Sequence, residues 1–122
     1  MAVEDLLRRA MTAAEAFPES KVPALTKRMY DRMNWVWMLN GDDFLQHGWS
    51  PEQGFFKSEW KVYCEHMVLN LLAVGAEKNP IPAHCWDAWR RSPKMVHEGE
   101  EFLHYPPLFI HQYSHAYFDF YN

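Results

Sequence analysis

Apolar residues recur at helical spacing in the first part of the chain. Residues 4–17 and 22–33 each carry an apolar stripe with a period near 3.6 residues, which predicts two α-helices. Pro18 and the polar residues after it separate the two segments. The stripes consist of Leu6, Leu7, Ala10, Ala13, Ala14 and Phe17, and of Leu25, Met29 and Met33. We therefore expect the chain to begin with a helical hairpin.

The pattern changes to one typical of β-structure between residues 35 and 56. Asn40-Gly41 follows an apolar run and is a strong signal for a tight hairpin turn. The predicted elements are a strand at 35–39, a return strand at 44–49, a turn at 50–54 and a short third strand at 55–56. The sequence thus predicts a small β-hairpin or meander inserted between helices.

Residues 58–75 form the most apolar stretch and predict one long helix. Ser58 suits the N-cap position, and Gly75 lies where a helix commonly ends. Residues 67–74 are apolar on nearly every side, which indicates a buried helix. Glu65 precedes them by one turn, and charged side chains are rarely buried without a partner or a functional role. Glu65 is therefore the first candidate for chemistry.

The last third of the chain predicts two more helices. The proline-containing residues 79–82 read as a rigid connector, followed by a short helix at 83–91, irregular residues at 92–106 and a final helix from about 107 to 120. One face of the final helix carries Leu108, His111, Gln112, His115 and Asp119, and the other carries Phe109, Ile110, Tyr113, Ala116 and Phe120. The fold class predicted is mainly α, with five helices and a small sheet.

Composition narrows the class of protein. With 122 residues, 48% apolar and 23% charged, the chain reads as one globular unit. The net charge of −4 and the absence of a basic cluster argue against a nucleic-acid partner, and no apolar run is long enough to span a membrane. The start of the chain is not typical of a signal peptide. Aromatic residues reach 16%, enough to fill a core or to line a sugar-binding cleft.

Several segments, taken in order, resemble a known family. They are MTAAEAF, MYDRMNWVWMLNGD, HGWSPEQGFFKSEWKVYCEHMVLNLLAVGAEKNPIPAHCWDAWRR and PPLFIHQYSHAYFDF. The Tyr-Cys-Glu segment, the Pro-Ile-Pro connector and the His-Gln-Tyr-Ser-His helix are specific in combination. The chain resembles the bacterial glucoamylase or glycoamylase-like family of glycoside hydrolases, which includes endo-β-1,2-glucanases.

The resemblance implies an (α/α) toroid of six helical hairpins with the active site at the mouth of the inner ring. Twelve helices of about 11 residues with loops of about five would need roughly 190 residues, so we expect residues 1–122 to form a single incomplete domain, a partial toroid. Family members are usually exported, and the localisation of this chain stays open. A partial toroid would expose apolar flanks, which predicts self-association.

The same resemblance assigns chemistry to particular residues. Glycoside hydrolysis generally uses two carboxyl groups, and the family's likely general acid matches Glu65. Burial would raise the pKa of Glu65, although a helix N-terminus acts in the opposite direction. The alternative is a structural Glu65 paired with His66 or an arginine. The first candidate for the second carboxylate is Asp119, and the others are Asp42, Asp43 and Asp87. The residue that acts as the catalytic base could also lie in a part of the family domain outside this chain.

Ligand-binding candidates lie on the last helix and around Glu65. His111 and His115 have metal-ligand spacing, but Gln112 stands where a zinc-protease helix has Glu and no third ligand is apparent, so we expect no metal and no cofactor. His111, Gln112 and His115 could instead bind the hydroxyl groups of a glucan oligosaccharide, or the histidines could be buried in a core. Trp49 and Trp60 are candidates for stacking on glucosyl rings, with core packing as the alternative. The competing function is a non-catalytic, carbohydrate-binding or self-associating remnant.

Overall fold

The computed structural model describes residues 3–117 and is rich in short helices. In chain order the elements are α1 (Val3–Ala16), α2 (Val22–Tyr30), a 3₁₀ turn (Trp37–Leu39), β1 (Trp49–Ser50), β2 (Gly54–Phe55), α3 (Met67–Val74), α4 (Cys85–Ala88), β3 (Lys94–His97), β4 (Glu100–Leu103) and α5 (Phe109–His115). The strands form two separate antiparallel hairpins, β1–β2 and β3–β4. The prediction of a mainly α fold with a small β insertion is confirmed.

The helical hairpin predicted at the start is present. The hydroxyl of Ser20 accepts a hydrogen bond from the backbone N–H of Val22 at 3.1 Å and donates one to the Phe17 carbonyl at 2.7 Å, which closes the turn between α1 and α2. Across the pair, the Thr26 hydroxyl donates to the Ala10 carbonyl at 3.0 Å. Leu7 on α1 is buried in the main core, as its position on the apolar stripe predicts.

The strand predicted at residues 35–39 is wrong. Trp35 is fully buried, and the Asn34 side chain accepts a hydrogen bond from the Trp37 N–H at 3.0 Å, so the chain turns into a 3₁₀ helix at this point. Asn40 ends that helix in the left-handed conformation, with φ 54°. The turn predicted at 50–54 is confirmed, because it joins β1 to β2 with Trp49 opposite Phe55.

The long helix predicted from Ser58 begins only at Met67. Residues 59–66 are largely non-helical, because their backbone groups bond to distant parts of the chain: Trp60 N–H to the Leu45 carbonyl at 2.9 Å, and Tyr63 N–H to the Arg90 carbonyl at 2.8 Å. The Ser58 hydroxyl contacts His47 Nδ1 at 2.8 Å instead of capping a helix. The buried helix itself is confirmed as α3, and Glu65 lies just before its first residue.

The hairpin β3–β4 replaces the irregular segment predicted at residues 92–106. Its turn places Glu98 and Gly99 at φ 51° and 87°, the pattern of a two-residue hairpin turn. All four residues of β3 are exposed, so the segment lacks the alternation of buried and exposed positions that identifies a strand in a sequence. The helix predicted at 83–91 is shorter, Cys85–Ala88, because Trp89 is extended and Arg90 pairs with Val62.

The buried side chains form two clusters that meet at Trp60. The main cluster comprises Leu7, Trp35, Leu39, Leu45, Leu69, Ala73, Ala76, Ile81 and Cys85, and the second comprises Tyr63, Cys64, Met67, Trp89 and Ile110. Trp60 is partly buried and packs against both. Residues 58–66 therefore run along the junction between the two clusters. Within residues 3–117, no helix is both long and apolar enough to cross a membrane.

Large apolar side chains on the second half of the chain are exposed, which leads us to expect self-association. Val96 and Leu108 are 68% and 67% exposed, and Phe109 is 48% exposed. Association would remove this apolar surface from water. We predict that light scattering gives a mass that rises above 14.6 kDa with concentration, and that Val96→Ser with Leu108→Ser reduces the rise. A monomeric mass at every concentration would contradict this expectation.

Candidate functional site

A cavity lined by aromatic rings lies on one side of residues 58–66. We call this space of about 620 Å³ the aromatic cavity; its polar lining includes Gln46 and His47, and its rings include Trp37, Trp49, Phe55, Phe56 and Trp60. The Trp37 ring centre lies 4.5 Å from that of Phe55 and 5.9 Å from that of Trp49. Trp49 is nevertheless 48% exposed, so its ring is accessible to a ligand. The volume falls within the range typical of small-molecule sites.

A second cavity, lined by histidines, lies between β4 and α5. This histidine cavity of about 610 Å³ is bordered by Tyr63, His104, Tyr105, His111 and His115, among others. The Tyr63 hydroxyl contacts His111 Nδ1 at 3.1 Å, a hydrogen bond between residues 48 positions apart. The bond fixes the imidazole and leaves Nε2 of His111 as the nitrogen able to bind a ligand hydroxyl.

His66 is buried between the two cavities. Its ring stacks on Trp60 with centres 5.4 Å apart and meets the edge of Trp89 at 5.0 Å, while its Nδ1 lies 3.0 Å from the Cys64 sulfur. The side chain is fully buried, and Nε2 has no hydrogen-bond partner within the part of the chain that the structure describes. Burial lowers the pKa of His66 to about 4, with smaller contributions from the positive charges of His47 and Arg91. His66 is therefore neutral at physiological pH.

Ring contacts continue from one cavity to the other. His47 lies 4.1 Å from Trp60, and beyond His66 the series runs through Trp89 and Tyr63 to His111, with centre distances of 6.2 Å and 5.5 Å for the last two contacts. Arg91 covers the outer face of Trp89 at 3.9 Å and donates a hydrogen bond to the Trp86 carbonyl at 2.7 Å. The walls of both cavities thus belong to one packed set of rings.

Glu65 lies in the chain between the buried residues Cys64 and His66 and is itself half-buried. Among residues 3–117 its carboxylate has no hydrogen bond or ion pair, so the predicted alternative of a structural pair with His66 or an arginine is not observed. Its charge reaches the aromatic cavity, since burial lowers the pKa of His47 while Glu59 and Glu65 oppose that shift. Glu65 is not itself a lining residue of either cavity.

The structure divides the predicted ligand-binding residues between two places. Trp49 and Trp60 line the aromatic cavity, whereas His111 and His115 line the histidine cavity. Gln112 is exposed and lines neither. Asp119 lies outside the described residues. The other carboxylates considered, Asp42, Asp43 and Asp87, are all exposed.

Sequence reasoning did not select Tyr63, His66 or Trp89 as parts of the site. A signal was available for the first two, because Trp60, Tyr63 and His66 recur every third residue and all three contact Trp89 or one another. His47 was also missed, because its contacts are to Ser58 and Trp60, which follow it by more than ten residues.

The second half of the chain, which holds Tyr63, His66 and Trp89, matches a known family. The family model with the description "Glycoamylase: Putative glucoamylase" matches residues 57–122, which is more than half of the chain. The match includes Glu65, α3, α4, the β3–β4 hairpin and α5. No curated protein and no solved structure matches the chain. On the strength of the family match, the chain belongs to the glycoamylase-like family.

Proposed function

We propose that this chain is part of a glycoside hydrolase that cleaves β-glucan, with β-1,2-linked glucan as its substrate and Glu65 as the general acid. The observation that carries the proposal is a half-buried carboxylate that has no ion pair among residues 3–117, in a segment whose residues Trp60 and Tyr63 line the two cavities. A carboxyl group without a charged partner is suited to carry a proton for transfer. Membership of the glycoamylase-like family supports the choice of reaction.

The proposed reaction begins with proton transfer to the glycosidic oxygen. Glu65 donates its proton as the bond to the leaving sugar breaks, and a second carboxyl group activates water or attacks the anomeric carbon. We assign this second role to Asp119. Trp49 and Trp60 stack on glucosyl rings, and His111, Gln112 and His115 bind sugar hydroxyls.

The architecture proposed for this enzyme is the (α/α) toroid. In it, residues 1–122 form a single incomplete domain, and α3 takes the place of an inner-ring helix. Support comes from the burial of Met67, Val68, Leu69, Asn70 and Ala73, which cover most of the helix surface. A helix buried on nearly all sides is expected between an outer ring and a central cleft.

Hydrolysis of β-1,2-glucan by the 122-residue chain tests the proposal. We expect release of reducing ends, and we expect Trp49→Ala to lower kcat/KM about tenfold, because the exposed ring would lose its stacking contact with the sugar. Phe17→Ala is the matched control, since Phe17 is also exposed but lies at the end of α1. Absence of product release from the unaltered chain would contradict catalysis by residues 1–122 alone.

A second candidate function is carbohydrate binding without catalysis. The exposed ring of Trp49 beside the polar groups of Gln46 and His47 favours it, because such a surface binds sugars without needing a carboxylate. Calorimetric titration with β-1,2-glucan oligosaccharides separates the two functions. Binding that Trp49→Ala abolishes, without any product release, would establish the binding function.

A further inference from the structure

Three potential metal ligands converge at a place remote from Glu65 in sequence. Asp43 follows the 3₁₀ turn, while His84 and Cys85 lie at the start of α4. A carboxylate oxygen, an imidazole nitrogen and the thiol sulfur of these residues all lie within 4.8 Å of one another. His84 Nε2 and Asp43 Oδ1 are already 2.9 Å apart. No short motif reveals the group, because Asp43 and His84 are 41 positions apart.

The backbone that carries His84 and Cys85 is held in place. The Ile81 N–H donates to the Ala73 carbonyl of α3 at 3.1 Å, and the Cys85 N–H donates to the Pro82 carbonyl at 3.0 Å. Cys85 is 1% exposed and belongs to the main buried cluster together with Leu39, which immediately precedes the Asp43 turn. These backbone hydrogen bonds and the burial of Cys85 hold the thiol close to the Asp43 carboxylate.

The other two side chains are open to solvent. The side chains of His84 and Asp43 are 65% and 57% exposed, so an ion can approach from the surface and meet the sulfur from outside. A small rotation of either side chain can admit an ion between them, because neither is enclosed. An ordinary surface ion pair would explain the contact between His84 and Asp43. It would not explain why the buried sulfur of Cys85 lies within 4.8 Å of both.

The donor set indicates which metal would bind. Thiolate and imidazole together favour zinc and similar transition metals over magnesium or calcium, which prefer oxygen ligands. Three protein ligands leave one tetrahedral position for water. We propose that Asp43, His84 and Cys85 bind one Zn²⁺ ion per chain, with the thiol proton released to solvent. This site is independent of the proposed hydrolase function.

Titration of the 122-residue chain with Co²⁺, a spectroscopic substitute for zinc, tests the site. We expect an equimolar end point with a thiolate-to-cobalt charge-transfer band in the near ultraviolet, and loss of that band when Zn²⁺ is added. Cys85→Ser and His84→Ala should each weaken binding at least about tenfold, because even outer-shell partners contribute that much. His84 is exposed, so its removal leaves the core intact, and far-ultraviolet circular dichroism verifies the fold of both variants.

Cys64→Ser is the matched control, because Cys64 is the other free and buried cysteine. The charge-transfer band should survive in this variant at unchanged affinity. The proposal is overturned if the unaltered chain shows no band, if the band persists in Cys85→Ser, or if it is lost in Cys64→Ser.

Discussion

Replacement of Glu65 by Gln is expected to slow hydrolysis of β-1,2-glucan by about 10²–10⁴-fold, the usual contribution of a positioned general acid. Gln has nearly the shape of a protonated Glu but cannot give up a proton to the glycosidic oxygen. Because the Glu65 carboxylate has no hydrogen bond or ion pair within residues 3–117, its replacement removes no described polar contact. The loss should therefore appear in kcat, with KM little changed.

Steady-state kinetics of purified Glu65→Gln and Glu19→Gln check this expectation. Glu19 is exposed in the turn after α1 and serves as a control for the same chemical change. Its variant should retain full activity. A Glu65→Gln variant with unchanged kcat would remove Glu65 from the catalytic role.

Acidification is expected to destabilise the fold through His66. The folded-state pKa of about 4 lies below the ordinary value of 6.5, so between these values the unfolded chain binds a proton that the folded chain excludes. The loss of folding stability caused by His66 is absent above pH 6.5, grows as the pH falls and is complete below pH 4. At about 1.4 kcal/mol per pH unit, the interval amounts to about 3 kcal/mol of lost stability.

Urea unfolding at pH 7 and pH 4 measures this loss, and His66→Gln isolates it. The ionisable groups near His66 are Cys64, Glu65, His47 and Arg91, and all remain in the variant. Asp31 and Glu59, whose pKa values are lowered by Lys27 and Lys61, also lose stabilising contacts in acid, but equally in both proteins.

The difference in acid sensitivity between the unaltered chain and His66→Gln should be about 3 kcal/mol. His97→Gln provides the control, since the side chain of His97 is 75% exposed. It should keep the full acid sensitivity. If His66→Gln loses as much stability in acid as the unaltered chain, burial of a neutral His66 is not the cause.

The sequence predicts those elements whose patterns are local. The α1–α2 hairpin and the turn at 50–54 follow from apolar spacing and from residues suited to turns, and both are present. Residues 59–66 also favour a helix locally. Their backbone groups instead bond to Leu45 and Arg90, partners that no local pattern identifies. Tertiary contacts of this kind override propensity.

Residue type and spacing select candidate residues, but they do not reveal contacts between residues that are far apart in the sequence. Trp49, Trp60, His111 and His115 could be selected by residue type and spacing, and all four line cavities. The contact between Tyr63 and His111 joins residues 48 positions apart and became visible only in the structure.

His66 also depends on distant residues, because its enclosure needs Trp89 from beyond α3. The two cavities also depend on contacts between distant parts of the chain. One is built around the β1–β2 hairpin, and the other lies between β4 and α5.

The most direct test of Glu65 as the general acid compares two leaving groups. The unaltered chain and Glu65→Gln are assayed on β-1,2-glucan and on a dinitrophenyl glycoside of a β-1,2-linked glucan oligosaccharide. A dinitrophenolate departs without protonation, so an acid is not needed for that bond. The loss of about 10²–10⁴-fold on glucan should shrink to less than about tenfold on the aryl substrate. An equal loss on both substrates would contradict the assignment of Glu65 as the general acid.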